Sequence, residues 1–490
     1  MKINQIPYYL LPKLQDILFI GLLMVMAFNS PRLFQDGDLG RHITIGKYIL
    51  ESGHIPTQDI FSHTMYGQPL VPHEWLAQLL FAVVYLTTGF NGEVLLTALV
   101  IAVTFLLVYR EILKRGAFRL VALTVALWAA MAAGIHWLAR PHIFTFLFTA
   151  LWTYNLESVT VSRHKRIWLF PLLMLVWANT HGAFIAGFVI WGVYFFEWLW
   201  EYRRGRSTKE LGAKLGLIGA ASFAITFVNP SGWHLWQTSV GYVGNNYLVG
   251  HTLEYLSPDF HDKSTWPYLL LLAYGWFALA ADKRIRLREA LLLAGWAAMS
   301  LYSARNIPLF AIITAPIFGG LIQHQAEKWP MLAKQDTGLR ETEKRLRGFV
   351  WPAAAVLFLV FVFWQNIPLD AQGIGNRYDP KRFPVEAMNW LDKNPQEGNM
   401  FNEFIWGGYV LLREWPRELV FIDGQTDFYG EELTREYVQV GSLDDGWEDV
   451  LEKYKVNWAL IPSDAPLTKT LIGQGWRELY RDSTAVILRK

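Results

Sequence analysis

Apolar positions along this 490-residue chain gather into long windows instead of alternating with polar ones, which predicts helices that cross a bilayer. A crossing helix takes roughly twenty mostly apolar residues, within a range of about 17 to 25. Eleven windows approach that length: residues 15 to 33, 93 to 109, 120 to 137, 143 to 160, 167 to 180, 183 to 200, 213 to 229, 266 to 281, 289 to 304, 307 to 323 and 349 to 365. A twelfth stretch, 75 to 88, is short enough to predict an interfacial helix. Between it and the first window lies a polar insert, opening with Asp36-Gly37-Asp38-Leu39-Gly40-Arg41-His42 and closing with His73-Glu74-Trp75.

Past the last window the pattern changes. Residues 366 to 490 hold 21 acidic and 14 basic side chains, too polar for lipid. Short apolar runs at 418 to 422, 458 to 461 and 485 to 488 read as strands, and 384 to 391 and 427 to 440 read as helices. The expected architecture is therefore a polytopic α-helical domain over 1 to 365, with an outer loop at 34 to 92. A small α/β domain follows over 366 to 490.

Composition strengthens this picture. Apolar residues make up 53% and charged residues 18%, against about 25% charged in ordinary soluble proteins. The 23 Trp and 21 Tyr suit membrane interfaces. No small-residue cleavage site follows the first apolar stretch, so it is expected to be retained. The absence of cysteine excludes disulfides and thiolate chemistry. A net charge of +2 carries no signature of a nucleic-acid partner, and none is expected.

Charge also orients the spans. If 75 to 88 does not cross, one set of loops carries 24 Lys and Arg. These are Lys2 and Lys13; Arg110, Lys114, Arg115 and Arg119; Arg163, Lys165 and Arg166; Arg203, Arg204, Arg206, Lys209 and Lys214; Lys283, Arg284, Arg286 and Arg288; and Lys328, Lys334, Arg340, Lys344, Arg345 and Arg347. The other set carries six: Arg32, Arg41, Lys47, Arg140, Lys263 and Arg305. Basic residues favour the cytoplasm. The expectation is a multi-pass plasma-membrane protein with a cytoplasmic amino terminus and an extracytoplasmic carboxy-terminal domain.

That topology puts most of the unusual polar residues on the outer face. Asp36, Asp38, Arg41 and His42 open the first loop, and His73-Glu74 closes it. His136, Arg140 and His142 lie in the next outer turn; Asn179 and His181, Glu254, and Arg305-Asn306 lie in later ones. Taken singly, each has a plainer reading: an arginine at a span end is an ordinary anchor, and an acidic residue in a first turn favours the helix dipole. Their convergence on one face is what points to a site. Two carboxylates two residues apart on extended chain point the same way, about 6 to 7 Å apart. They would hold a divalent cation, Mg or Mn, or supply a general base. Arg140 and Arg305 would bind a phosphate group bidentately and stabilise charge on a departing phosphate. A sugar carried on a membrane lipid phosphate fits this set.

The chain resembles the GT-C superfamily of polytopic glycosyltransferases, and within it a group of bacterial membrane proteins. The resemblance rests on an ordered series: Asp36-Gly37-Asp38 with Arg41-His42, His73-Glu74-Trp75-Leu76, Ala139-Arg140-Pro141-His142, Asn179-Thr180-His181-Gly182, Asn229-Pro230-Ser231-Gly232-Trp233, Glu254-Tyr255-Leu256-Ser257-Pro258, Arg305-Asn306-Ile307-Pro308-Leu309, Trp406-Gly407-Gly408-Tyr409 and Phe421-Ile422-Asp423-Gly424-Gln425. It departs at Gly40, where a Trp is common, and at Gln425, where an Arg is frequent. The resemblance implies an inverting transferase that takes a sugar from a polyprenyl-phosphate donor to an acceptor of unspecified class at the outer face. By it Asp38 is the favoured base or metal ligand, with Asp36 its partner. Arg140 and Arg305 would hold the lipid phosphate, and Arg41, His42, His73, Glu74, His142, His181, Glu254 and Asn306 would complete the substrate site. A flippase of lipid-linked sugars and a non-catalytic scaffold are the alternatives.

Overall fold

The computed structural model describes residues 10–161, 166–241, 245–281, 285–346 and 348–490. Of the basic residues used to orient the spans, Lys2, Arg163, Lys165, Lys283, Arg284 and Arg347 lie outside the described residues. The helical body runs through α1 (Leu14–Phe28), α2 (Asp38–Ser52), α3 (Trp75–Lys114), α4 (Arg119–Ala133), α5 (His142–Val161), α6 (Leu169–Thr180), α7 (Ile185–Arg203) and α8 (Lys209–Ile225). It continues through α9 (His234–Gly241), α10 (Asn246–His251), α11 (Trp266–Ala281), α12 (Leu287–Tyr302), α13 (Ile307–Ala326), α14 (Pro330–Arg345) and α15 (Val350–Trp364).

Among the described residues, four helical segments are long and apolar enough to cross a membrane: Trp75–Lys114, Arg119–His136, Gly182–Arg203 and Ala304–Ala326. The bent pair α14 and α15 would make a fifth. The expected count of eleven is therefore not reproduced. Several apolar windows fold as helices of only 15 to 17 residues, among them α1, α8, α11, α12 and α15. The short helix expected at 75 to 88 is the first part of α3, set off from the rest by a kink where Gly89 takes φ 62°.

Two ionic clusters mark the two ends of the bundle. At one end, Glu157 of α5 receives Arg286 and Arg288, each at 3.0 Å, and Arg115 at 3.6 Å. Arg115 also reaches Glu289 at 2.8 Å, and Arg119 reaches Glu343 of α14 at 2.6 Å. At the other end of α3, α5 and α12 stand residues 36–42, 73–74, 140, 254 and 305. The loops sorted by charge in the sequence thus meet in two separate groups.

The carboxy-terminal part adds α16 (Val385–Leu391), β1 (Asn399–Asn402), α17 (Gly407–Glu414), α18 (Thr426–Ser442), α19 (Trp447–Lys453), β2 (Val456–Pro462), α20 (Pro466–Gly473), β3 (Arg477–Arg481) and β4 (Ala485–Arg489). The sheet order is β1-β2-β4-β3, with β1 parallel to β2 and the other pairs antiparallel. The runs at 458 to 461 and 485 to 488 are strands as expected, and the two helices are present. The run at 418 to 422 is not a ladder strand. Its backbone is spent elsewhere: Val420 exchanges hydrogen bonds with Phe61 and His63, and the Asn402 side chain bonds Phe421 and Ile422.

This stitching carries the tail onto the first loop. Helix α2 ends at Gly53 in the left-handed conformation and packs between α3 and α17. It meets α17 backbone to backbone: a Cβ on Gly40 would lie 2.4 Å from the Gly408 carbonyl oxygen, and one on Gly408 would lie 2.2 Å from that of Gly37. A Trp at Gly40 would drive the tail away. Overpacking of this kind costs about 1–3 kcal/mol, and here backbone must move. Gly40→Ala should lower the melting temperature of detergent-purified protein, whereas Gly216→Ala, with open space around it, should not; equal melting would refute the contact.

Candidate active site

The first loop turns at Asp36 because its carboxylate accepts from the Asp38 backbone N–H at 3.2 Å, starting α2. The two aspartates are thus not on extended chain, yet both carboxylates reach one cation. Arg140 Nη2 lies 2.7 Å from Asp38 Oδ2, and Nη1 lies 3.3 Å from Asp36 Oδ2 and 2.7 Å from Glu254 Oε1. Glu254 also faces Arg305 at 3.7 Å. Arg305 donates to the Tyr255 hydroxyl at 2.8 Å and stands 3.4 Å from His181 Nε2.

A second group adjoins the first. Glu74, at the start of α3, lies 3.8 Å from His42, 3.7 Å from His181 and 4.0 Å from His73. The indole of Trp75 donates to Asn179 at 2.7 Å, holding the start of α3 to the end of α6. The tail closes this side. Asp427, in the first turn of α18, faces His73 at 3.9 Å. A Cβ on Gly424 would fall 1.8 Å from Asp38 Oδ1, so only a glycine lets the tail backbone floor that carboxylate.

Electrostatics follow from this crowding. Burial, with the neighbouring Asp38 and Glu254, raises the Asp36 pKa to about 7 despite Arg140. Burial also pushes Glu254 up, but Arg140 and Arg305 outweigh it and leave its carboxyl well below the usual range. Burial raises Glu74, and Asp427 adds to the shift. His42 is held well below the ordinary imidazole value by burial and by the nearby Arg140 and Arg41.

No protein-family model matches the chain, and no curated protein matches it in sequence. Solved structures do match in shape. The apo oligosaccharyltransferase of Archaeoglobus fulgidus superposes over 91% of this chain and 69% of its own, with a TM-score of 0.62 at 10% identity. The oligosaccharyltransferase AglB of Archaeoglobus fulgidus, in complex with an inhibitory peptide and a dolichol-phosphate, superposes over 97% and 74%, with a TM-score of 0.61 at 12% identity. The chain has the GT-C fold. ArnT from Cupriavidus metallidurans, bound to undecaprenyl phosphate, aligns over 96% and 97% with a TM-score of 0.46 at 14% identity.

Within this GT-C fold, Asp36, Asp38, His42, His73, Glu74, Arg140, His181, Glu254 and Arg305 come together. His142 stands beside them, its ring 6.5 Å from that of His181, with Nε2 bound to the His136 carbonyl at 2.7 Å. Two of the expected residues point elsewhere. Arg41 is buried against Asp423 at 3.3 Å, joining α2 to the tail. Asn306, half-buried, donates to the Met299 carbonyl at 3.2 Å. The sequence reading missed the parts played by Asp423, Gly424 and Asp427, although the tail motif Phe421-Ile422-Asp423-Gly424-Gln425 had marked the segment. For the expected cation the donor set does not fit: Asp36, Asp38 and Glu254 all turn toward one guanidinium, and among the described residues no three acidic or imidazole groups are placed to hold a metal ion.

Because its folded pKa is raised above the unfolded value, Asp36 contributes stability that is complete below about pH 4 and is lost as pH rises through about 7. Asp36→Asn removes that loss. Its melting temperature should vary less than that of the wild type between about pH 4 and 8, and at the alkaline end it should be no lower. A variant that melts lower there, with the pH slope unchanged, would show that pairing with Arg140 dominates.

Proposed function

We propose that the protein is an inverting glycosyltransferase that takes a sugar from a polyprenyl-phosphate donor at the outer face of the plasma membrane. The observation that carries this reading is the meeting of first-loop carboxylates with guanidiniums from two distant turns, in a fold shared with an enzyme whose structure holds dolichol-phosphate. The charge pattern of the loops supports a cytoplasmic amino terminus, with the cluster and the tail domain outside.

Roles follow from the contacts. Arg140 has both terminal nitrogens on carboxylates, so it orients the acidic pair. Arg305 is the more exposed guanidinium, 31% against 18%, and takes the lipid phosphate with Tyr255 beside it. The base is assigned to Asp36 in place of Asp38, because a proton affinity near neutrality suits general-base work. Asp38, pinned between Arg140 and the Gly424 backbone, fixes the geometry. In the transfer step Asp36 accepts the acceptor hydroxyl proton and the acceptor oxygen bonds to the anomeric carbon. The bond from that carbon to the phosphate oxygen breaks, its electron pair leaving with the phosphate, where Arg305 balances the charge.

The direct test is incubation of protein in nanodiscs with a radiolabelled polyprenyl-phosphate sugar and a membrane-extract acceptor. Wild type should transfer label, Asp36→Asn should lose about 10²–10⁴-fold, and Arg305→Ala should weaken donor use. Retained transfer in Asp36→Asn with loss in Asp38→Asn returns the base to Asp38. Donor binding with no transfer would favour a flippase, and neither binding nor transfer would favour a scaffold.

A further inference from the structure

Three carboxylates from two separate segments, Asp36 and Asp38 at the start of α2 and Glu254 after α10, are aimed at one point, and that point is held by the chain itself. Nη1 and Nη2 of Arg140 lie 2.7 to 3.3 Å from an oxygen of each. A divalent ion needs anionic oxygens at about 2.0 to 2.6 Å around a shared centre; here the centre is a guanidinium. We propose that Arg140 takes the place of a divalent cation in this carboxylate cage, so that the cluster is complete without one.

Other observations agree. The charge is nearly balanced: three carboxylates face Arg140 and Arg305, leaving one formal negative charge, much of which a half-protonated Asp36 takes up near neutrality. Adding a divalent ion beside two guanidiniums would overshoot that balance. The carboxylates have little freedom to regroup around an added ion. Asp38 is floored by the Gly424 backbone, Asp36 holds the Asp38 N–H, and Glu254 is shared with Arg305. Two of the neighbouring imidazoles are committed as well: His142 Nε2 to the His136 carbonyl, and His181 Nδ1 to the Thr145 hydroxyl at 2.9 Å. A cation with fixed planar geometry and two donor nitrogens does for these acids what a metal would do, with no dependence on metal supply.

This inference deepens the glycosyltransferase reading and rests on it for the cage's purpose, but its test reads ion binding alone, so either can fail without the other. The probe is Mn²⁺, followed by electron paramagnetic resonance of chelator-treated protein in detergent. Wild type should leave the Mn²⁺ signal that of the free ion. Arg140→Ala, which empties the cage and leaves Asp36 and Asp38 without their guanidinium, should take up one Mn²⁺, and a second change, Asp38→Asn, should abolish that uptake. Arg140→Lys should behave as wild type, since it restores a cation. Should Arg140→Ala fail to fold, judged by size-exclusion profile, Arg140→Gln keeps more of the volume and serves in its place. One Mn²⁺ on wild type that Asp38→Asn or Glu254→Gln removes would overturn the proposal. So would a folded Arg140→Ala or Arg140→Gln variant that takes up none.

Discussion

The structure depends on the neutralisation of one enclosed guanidinium. Arg140 follows a short turn before α5, and its charge is tolerable there only because Asp36, Asp38 and Glu254 surround it. Removing the central charge of such a group costs about 3–5 kcal/mol, because the charges around it are left uncompensated. The turns that supply these residues are therefore locked together: none can move without stranding a charge in another. That mutual dependence gives the acidic pair a fixed position on loops that would otherwise be the mobile part of a helical bundle.

The far end of the bundle obeys the same rule with different residues. Glu157 sits among Arg115, Arg286 and Arg288, while Arg288 also holds Glu197 at 2.5 Å. Between the two ionic ends the helices are joined mainly by close-packed apolar contacts, and the ion clusters tie their ends together. The tail is drawn into this scheme. Arg41 and Asp423 form a buried pair between α2 and the segment joining α17 to α18, and the Gly40–Gly408 crossing brings the backbones close enough for Gly424 to lie under Asp38. Residues 366 to 490 therefore build part of the site and are more than an appendage to it.

Much of this was legible in the sequence, for identifiable reasons. Apolar windows mark helices because lipid and helical core ask for the same residues, so α3, α4, α7 and α13 were visible. Their ends were not, because the windows run on into 3₁₀ turns such as 134–136 and 182–184, and a hydropathy window cannot tell those from helix. The site residues that could be named early were polar side chains at window ends, an anomaly that needs no partner to be noticed. Arg41 looked the same in sequence as Arg140. Only the position of Asp423, 382 residues away, makes one a structural pair and leaves the other in the cluster. The run at 418 to 422 failed for a related reason: its β-forming composition is real, but its backbone partners are Phe61, His63 and the Asn402 side chain.

The imidazoles add a final constraint on what the cluster can bind. His42 is kept unprotonated by burial and by the guanidiniums around it, while Glu74, which it faces at 3.8 Å, is pushed toward its neutral form by burial. Burial thus moves both partners of the His42–Glu74 contact toward their neutral forms, whereas the group beside it is built around the Arg140 guanidinium. Neutral donors and acceptors with two-sided hydrogen-bonding capacity suit hydroxyl groups, whereas the guanidinium side suits an anion. A ligand with a polyhydroxylated part and an anionic part, lying across the two groups, would satisfy both at once. A purely anionic ligand would leave the Glu74 side unpaired, and a neutral sugar alone would leave Arg305 facing only Glu254, Tyr255 and His181.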